Sequence, residues 1–243
     1  MTRRRVVLVL RGDDAFSGRL REAGIEAVNL ELITTAPVDH LSSLRERLGD
    51  IENFDGFFFT SPMAASVFLK QSARQFGGKI YVLGERTKVI FENAGITVEY
   101  RADANTADEL IAAFGDAEFA GKRLLFVRGD KSMRTIPEML AGKATVEEVV
   151  VYRTVDISPD GAAISDIQKR LSAGEIDLVC FFSPSAVESF GRIFRRVDIK
   201  AAAIGRTTAR QARDAGIEVD FVSERANALD FADGLIAYIK KIG

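Results

Sequence analysis

Serine, threonine and glycine recur in this chain where strands stop and helices start. Phe57-Phe58-Phe59-Thr60-Ser61-Pro62 is matched by Phe181-Phe182-Ser183-Pro184-Ser185, and Gly84-Glu85-Arg86-Thr87 by Gly205-Arg206-Thr207-Thr208. Ser61 and Ser183 lie 122 residues apart; Gly84 and Gly205, like Gly95 and Gly216, lie 121 apart. Arg11-Gly12-Asp13 returns as Arg128-Gly129-Asp130. A Ser oxygen caps free helix N–H groups, and Pro is tolerated in the first turn, so one copy alone reads as a plain helix start. The doubling says more. Parallel α/β sheets bind ligands beyond the carboxyl ends of their strands, and open helix N-termini there favour anions. Two such edges would offer many anion-binding points and few conventional catalytic side chains.

Other chemistry fails on residue type. Asp13-Asp14 imitates the acid pair of a phosphorylatable receiver, but a later strand that should end in Asp ends in Thr60-Ser61. No Gly-x-Gly-x-x-Gly is present, and Gly115 to Gly121-Lys122 has the wrong spacing for a P-loop. The single histidine, His40, supplies neither a His-based metal site nor a Ser-His pair. Cys180, the only cysteine, sits in Leu178-Val179-Cys180-Phe181-Phe182 and reads as a small buried hydrophobe. It also rules out an internal disulfide and fits a reducing compartment.

The elements that must position these residues alternate strictly. Strands are expected near 6–10, 28–33, 56–60, 80–83, 97–100, 124–127, 146–151, 177–182, 201–204 and 218–222. Amphipathic stretches such as 13–23, 63–75, 106–114, 132–141 and 207–215 lie between them, several closing on Ala-Gly, where glycine suits the left-handed position past a helix. Alternation of this kind predicts an α/β protein with parallel sheets covered on both faces. Ten strands divide into two flavodoxin-like domains, each with a five-stranded parallel sheet. One cut, near residue 118, makes a tandem pair. Another uses the proline-bearing segments around Pro37 and Pro159 and interleaves the halves. Sequence physics leaves both open. With 47% hydrophobic and 28% charged residues the chain is globular, and its net charge of −2 gives no case for nucleic-acid binding. No apolar run approaches a membrane span, and Arg3-Arg4-Arg5 before Val6–Leu10 is too short to be a signal peptide. A cytoplasmic location, with no membrane partner, is expected.

Taken together, Val150-Val151-Tyr152-Arg153-Thr154, Phe181-Phe182-Ser183-Pro184-Ser185-Ala186, Ala203-Ile204-Gly205-Arg206-Thr207-Thr208-Ala209 and the first-half matches at Thr60-Ser61-Pro62 and Gly84-Glu85-Arg86-Thr87 resemble the uroporphyrinogen III synthase family. The resemblance is diffuse and spans nearly the whole chain. It implies the interleaved division: 1–34 plus 160–243 as one domain, 39–152 as the other, and 35–38 and 153–159 as a two-segment hinge. It also implies an interdomain active site, no cofactor and a mobile hinge, and residue types already disfavour a metal. The matching site positions are Ser61, Thr87, Tyr152, Ser185 and Thr207, with Thr60, Ser183, Gly205 and Thr208 beside them. Arg11 and Arg128 are added as cationic candidates. Met63 departs from the polar or basic residue common in the family at that place.

The activity implied by the resemblance is cyclisation of linear hydroxymethylbilane to uroporphyrinogen III, with loss of water and inversion of ring D, in haem biosynthesis. Tyr152 is the candidate catalytic group, because a phenol stays protonated at neutral pH and can donate to the departing hydroxyl. A strand-end aromatic packing at the hinge is the alternative role for that ring. Holding the flexible substrate curled would carry the larger catalytic share. Expected partners are the small-molecule substrate and the deaminase that supplies it, with the protein a monomer. The competing functions are a non-catalytic two-domain binder of a small anion or tetrapyrrole, and a regulatory domain that has lost activity.

Overall fold

The computed structural model describes residues 3–72, 77–195 and 197–242. From the amino terminus the chain forms β1 (Val6–Val9), α1 (Ala15–Glu22) and β2 (Glu26–Asn29). Next come β3 (Ile33–Pro37), α2 (Ser42–Gly49), a 3-10 turn (Ile51–Asn53), β4 (Gly56–Phe59), α3 (Pro62–Gln71), β5 (Lys79–Val82) and α4 (Glu85–Asn93). They are followed by β6 (Glu99–Tyr100), α5 (Ala107–Phe114), α6 (Asp116–Phe119), β7 (Arg123–Gly129), α7 (Thr135–Met139) and β8 (Thr145–Asp156). The remainder is α8 (Gly161–Ser172), β9 (Leu178–Phe181), α9 (Pro184–Ile193), β10 (Lys200–Ala203), α10 (Arg206–Asp214), β11 (Val219–Val222) and α11 (Ala228–Ile242). The expected helix over 63–75 is seen as α3, and its last residues, 73–75, lie outside the described residues.

The chain divides into two units, Met1–Thr34 with Val155–Gly243, and Thr35–Thr154. The first unit has the sheet order β2-β1-β9-β10-β11, with every adjacent pair parallel. Counted in its own chain order this is 2-1-3-4-5, the flavodoxin-like arrangement. The second runs β8-β7-β4-β5-β6, also parallel throughout, or 5-4-1-2-3 in its own order. The two orders are circular permutations of each other.

A sixth strand, β3, lies outside β8 in the second sheet, where ten strands and two five-stranded sheets were expected. Ile157 N–H donates to Leu32 C=O at 2.8 Å and Val38 N–H to Val151 C=O at 3.1 Å. Residue numbers rise on one strand as they fall on the other, so β3 is antiparallel. Of the residues read as linker on account of Pro37 and Pro159, 35–37 and 153–156 therefore lie in strands, while 38 and 157–159 stay outside them. Pro37 is the last residue of an edge strand, where a missing N–H is tolerated, and Thr34-Thr35 supply β-branched side chains suited to pairing.

The central strands are buried on both faces: Val6–Val9, Gly56–Phe59 and Leu178–Phe181 contain no exposed residue. Side chains alternate between faces at period two. In the second unit Phe57 and Phe59 pack with Phe68, Phe91, Leu125 and Val127. Phe58 turns the other way, onto Tyr81, Phe119 and Phe126. Burying each such ring contributes about 1.5–3 kcal/mol, so the sheet cores hold the strand ends in fixed register. Gly95 and Gly216 close α4 and α10 with φ of 74° and 78°, the left-handed region that other residues rarely enter.

Candidate functional site

Strand order reverses between β1 and β9 in the first unit and between β7 and β4 in the second. Ligands of open α/β sheets collect beyond the carboxyl ends at such a reversal. The sequence-predicted residues fall there in both units.

In the first unit β1, β9 and β10 are neighbours, so Arg11, the Ser183–Ser185 turn and the Gly205–Thr207 turn occupy three consecutive strand ends. At about 4.8 Å per strand the row spans roughly 10 Å. Arg11 pairs with Asp14 at 2.6 Å, and its guanidinium lies 4.5 Å from the centre of the Phe182 ring. The Arg11 side chain remains 27% exposed. Its loop is held from beneath by Asn29, whose amide donates to Arg11 C=O (3.1 Å), Gly12 C=O (3.3 Å) and Ser17 Oγ (2.8 Å). Asp14 caps α1 by accepting from Phe16 N–H at 3.0 Å, while Asp13 pairs with Arg21. Neither acid behaves as half of a receiver-type pair.

In the second unit β8, β7, β4 and β5 set Tyr152, Arg128-Gly129, Thr60-Ser61 and Gly84 side by side. Tyr152 is half-buried, with its ring against the Phe57/Val127/Val151 core. Arg128 turns its charge inward: it meets Glu148 Oε2 at 2.7 Å, with the two side chains 15% and 19% exposed. It also donates to the carbonyls of Gly129 (3.0 Å) and Ser132 (3.3 Å). Its geometry holds the loop after β7 rather than offering a cation to an anion.

The serines are caps, and matched ones. Ser61 Oγ accepts from Ala64 N–H and Ser183 Oγ from Ala186 N–H, each at 3.2 Å, with Pro62 and Pro184 opening the helices. Capping uses an acceptor lone pair and leaves each O–H as a donor. Thr87 and Thr208 hold equivalent places in α4 and α10 and are 1% and 4% exposed, so neither hydroxyl faces solvent. Thr207 is exposed, and Thr60 and Ser185 are half-buried. Met63 packs against the core, which accounts for an apolar residue there. His40 is exposed just before α2. Burial pushes the Cys180 thiol well up from its ordinary pKa, so it stays an inert core residue.

Two cations were missed in the sequence reading. Arg86 and Arg206 are exposed in the first turns of α4 and α10, and neither is ion-paired with a described residue. Both stand inside the repeated Gly-x-x-Thr motif, which was the signal available. Among the described residues no group of three or more His, Cys, Asp or Glu could hold a metal, and no helix is long and apolar enough to cross a membrane.

Known proteins share the sequence family and the fold of this chain. A family model described as uroporphyrinogen-III synthase HemD matches residues 14–232. A uroporphyrinogen-III synthase from Chlorobaculum parvum is 28% identical over 238 residues, covering 93% of this chain and 94% of the relative. A putative uroporphyrinogen-III synthase from Methanothermobacter thermautotrophicus is 30% identical over 196 residues, 73% of this chain and 76% of the relative. The fold is shared with a uroporphyrinogen III synthase structure from Thermus thermophilus (TM-score 0.65, 18% identity, 98% and 99% coverage). It is shared also with that of Helicobacter pylori (TM-score 0.64, 14% identity, 96% and 99% coverage).

Proposed function

We propose a division of labour between the two strand-end rows of this chain, which belongs to the uroporphyrinogen-III synthase family. It is an enzyme of haem biosynthesis that closes linear hydroxymethylbilane to uroporphyrinogen III, with loss of water and inversion of ring D. The observation that carries the activity is the family match across residues 14–232, which takes in both strand-end rows except Arg11. The assignment of residues is our reading of the geometry.

The substrate is a flexible polyanion of acetate and propionate side chains. A protein of net charge −2 must meet it with local positive potential. In the first unit Arg11, Arg206, the O–H groups of Ser183, Ser185 and Thr207, and the N–H groups opening α9 and α10 from Ser183 and Gly205 supply it. In the second unit Thr60, Ser61 and Arg86 do the same. The buried Thr87 and Thr208 hold the first turns of their helices, and Arg128 holds the loop after β7.

Tyr152 assists the chemical step. The hydroxymethyl C–O bond breaks as the pyrrole nitrogen pushes electrons toward it, and the phenol donates to the departing oxygen, which leaves as water. The resulting azafulvene is attacked by the substituted carbon of ring D to give a spiro intermediate; fragmentation and re-closure invert that ring. The pyrrole supplies the driving electrons, so the protein needs no nucleophile. Holding the chain ends together is an orientation effect that can outweigh any single donor. The reading extends to a cytoplasmic monomer fed by the deaminase that makes the substrate.

Coupling the purified protein to that deaminase and separating the oxidised porphyrin isomers tests the activity. Predominantly type III product is expected. Only type I, the product of spontaneous closure, from folded protein would overturn it and favour a tetrapyrrole-binding role.

A further inference from the structure

Beneath the Tyr152 phenol there is room for glycine alone. A Cβ at Gly129 would lie 2.3 Å from Tyr152 Cζ, 2.5 Å from Cε2 and 2.7 Å from the hydroxyl oxygen. Real carbon contacts do not approach so closely. Gly129 is not among the residues with positive φ, so what requires glycine here is space rather than backbone conformation.

The register of β8 delivers the ring to this spot. Val127 pairs with Val149 and Arg128 with Val150, but Gly129 pairs with Tyr152, leaving Val151 as an extra residue. A bulge of this kind re-aims the side chains beyond it, and bulges gather next to active sites. Asp130 then pins the displaced backbone: its N–H donates to Tyr152 C=O at 3.0 Å, and its Oδ1 accepts from Thr154 N–H at 2.9 Å. The matching glycine of the first unit differs. A Cβ on Gly12 would meet nothing nearer than Glu31 Oε2 at 3.9 Å, an ordinary contact.

We propose that Gly129 is a positioning residue for Tyr152, and that by lacking a Cβ it lets the phenol lie over the end of β7 where the departing hydroxyl needs it. The consequence for turnover rests on the reading of Tyr152 given above. The colliding atoms are the far end of a side chain that can rotate, so an added methyl displaces the ring before it disturbs the strand.

The test measures kcat, KM and ring position for Gly129→Ala, Tyr152→Phe and the double variant. Turnover is read as type III product, and the ring by NMR of protein carrying 13C-labelled tyrosine. The chain has four tyrosines, and Tyr152→Phe identifies the relevant signal by its loss. Each single change should lower kcat roughly tenfold with KM little altered, and the double variant should be no slower than either. The Tyr152 signal should shift in Gly129→Ala. An unshifted signal, or losses that multiply in the double variant, overturns the positioning role. Full kcat in Tyr152→Phe alongside a shifted signal would instead remove the chemical role of the phenol and leave its placement by Gly129 standing. If Gly129→Ala folds poorly, Gly129→Ala/Tyr152→Ala should regain the lost Tm; failure to do so also overturns the inference.

Discussion

Arg11-Gly12-Asp13 and Arg128-Gly129-Asp130 are the same tripeptide at the ends of matching strands, yet they do opposite things. Strand register explains why. Val9 in β1 faces Asn29 in β2, and Phe126 in β7 faces Glu148 in β8, each two residues before its arginine. An amide beneath the first loop grips backbone carbonyls and leaves Arg11 partly exposed over Phe182, paired with Asp14. A carboxylate beneath the second captures Arg128 itself. The facing residue on the neighbouring strand separates the two copies of the repeated motif: Arg11 keeps an open pair with Asp14, and Arg128 is drawn into a more buried one. The second unit then has Tyr152 lying over its glycine, and the first has only Glu31 Oε2 at ordinary contact distance.

The contrast can be broken most forcefully in the cores that hold the two rows. Phe58 and Cys180 occupy equivalent positions, Phe58 between Phe126 and Tyr81 and Cys180 between Val9 and Ala202. Phe58→Ala should cost about 3–5 kcal/mol and Cys180→Ala about 1 kcal/mol in urea denaturation. Equal losses would mean that the matching strands do not bear different loads. Next in size, Arg128→Ala removes the less exposed of the two cations on Glu148, leaving only Arg134 at 2.9 Å, and should cost about 1–2 kcal/mol. Arg11→Ala, at a more open pair, should cost under about 1 kcal/mol. Thermal melts of the two variants check the order.

A smaller effect, and one that should be the same in both units, is expected at the caps. Ser61→Ala and Ser183→Ala should each remove about 1 kcal/mol, since both accept from a third-position N–H at one distance. A last effect, read by its pH dependence, lies at α6 beside β5 in the second unit. Hydrogen bonds from Tyr81 first, then Lys79 and Lys122, hold the Glu118 carboxyl at about 2, below its ordinary 4.5. A depressed folded pKa gives stability that is full above the unfolded value and fades as pH falls through the folded one. The Tm gap between wild type and Glu118→Gln should therefore be present at pH 7 and shrink between about pH 4.5 and 2. A gap that persists at pH 2 would assign the stabilisation to packing of α6 instead.

The sequence made the sheets legible because each central strand is a short apolar run stopped by Ser-Pro or Gly. It made the matched serines legible as well, since a cap is a local device. β3 was missed because Pro37 reads as a breaker until its place on a sheet edge is known. The inward turn of Arg128 depends on Glu148, twenty residues on and one strand over, and the role of Gly129 depends on a bulge at Val151. Neither relation has a signature along the chain. Buried Thr87 and Thr208 illustrate the same limit: a motif says where a hydroxyl sits along a helix, and packing decides whether it faces water.

The most direct test of the division of labour is steady-state kinetics of Tyr152→Phe beside Thr207→Ala, with type III product as the readout. The account predicts a roughly tenfold lower kcat with little change in KM for Tyr152→Phe. For Thr207→Ala it predicts a KM raised a few-fold with kcat nearly unchanged. Loss of turnover at unchanged KM in Thr207→Ala, or full kcat in Tyr152→Phe, would contradict it.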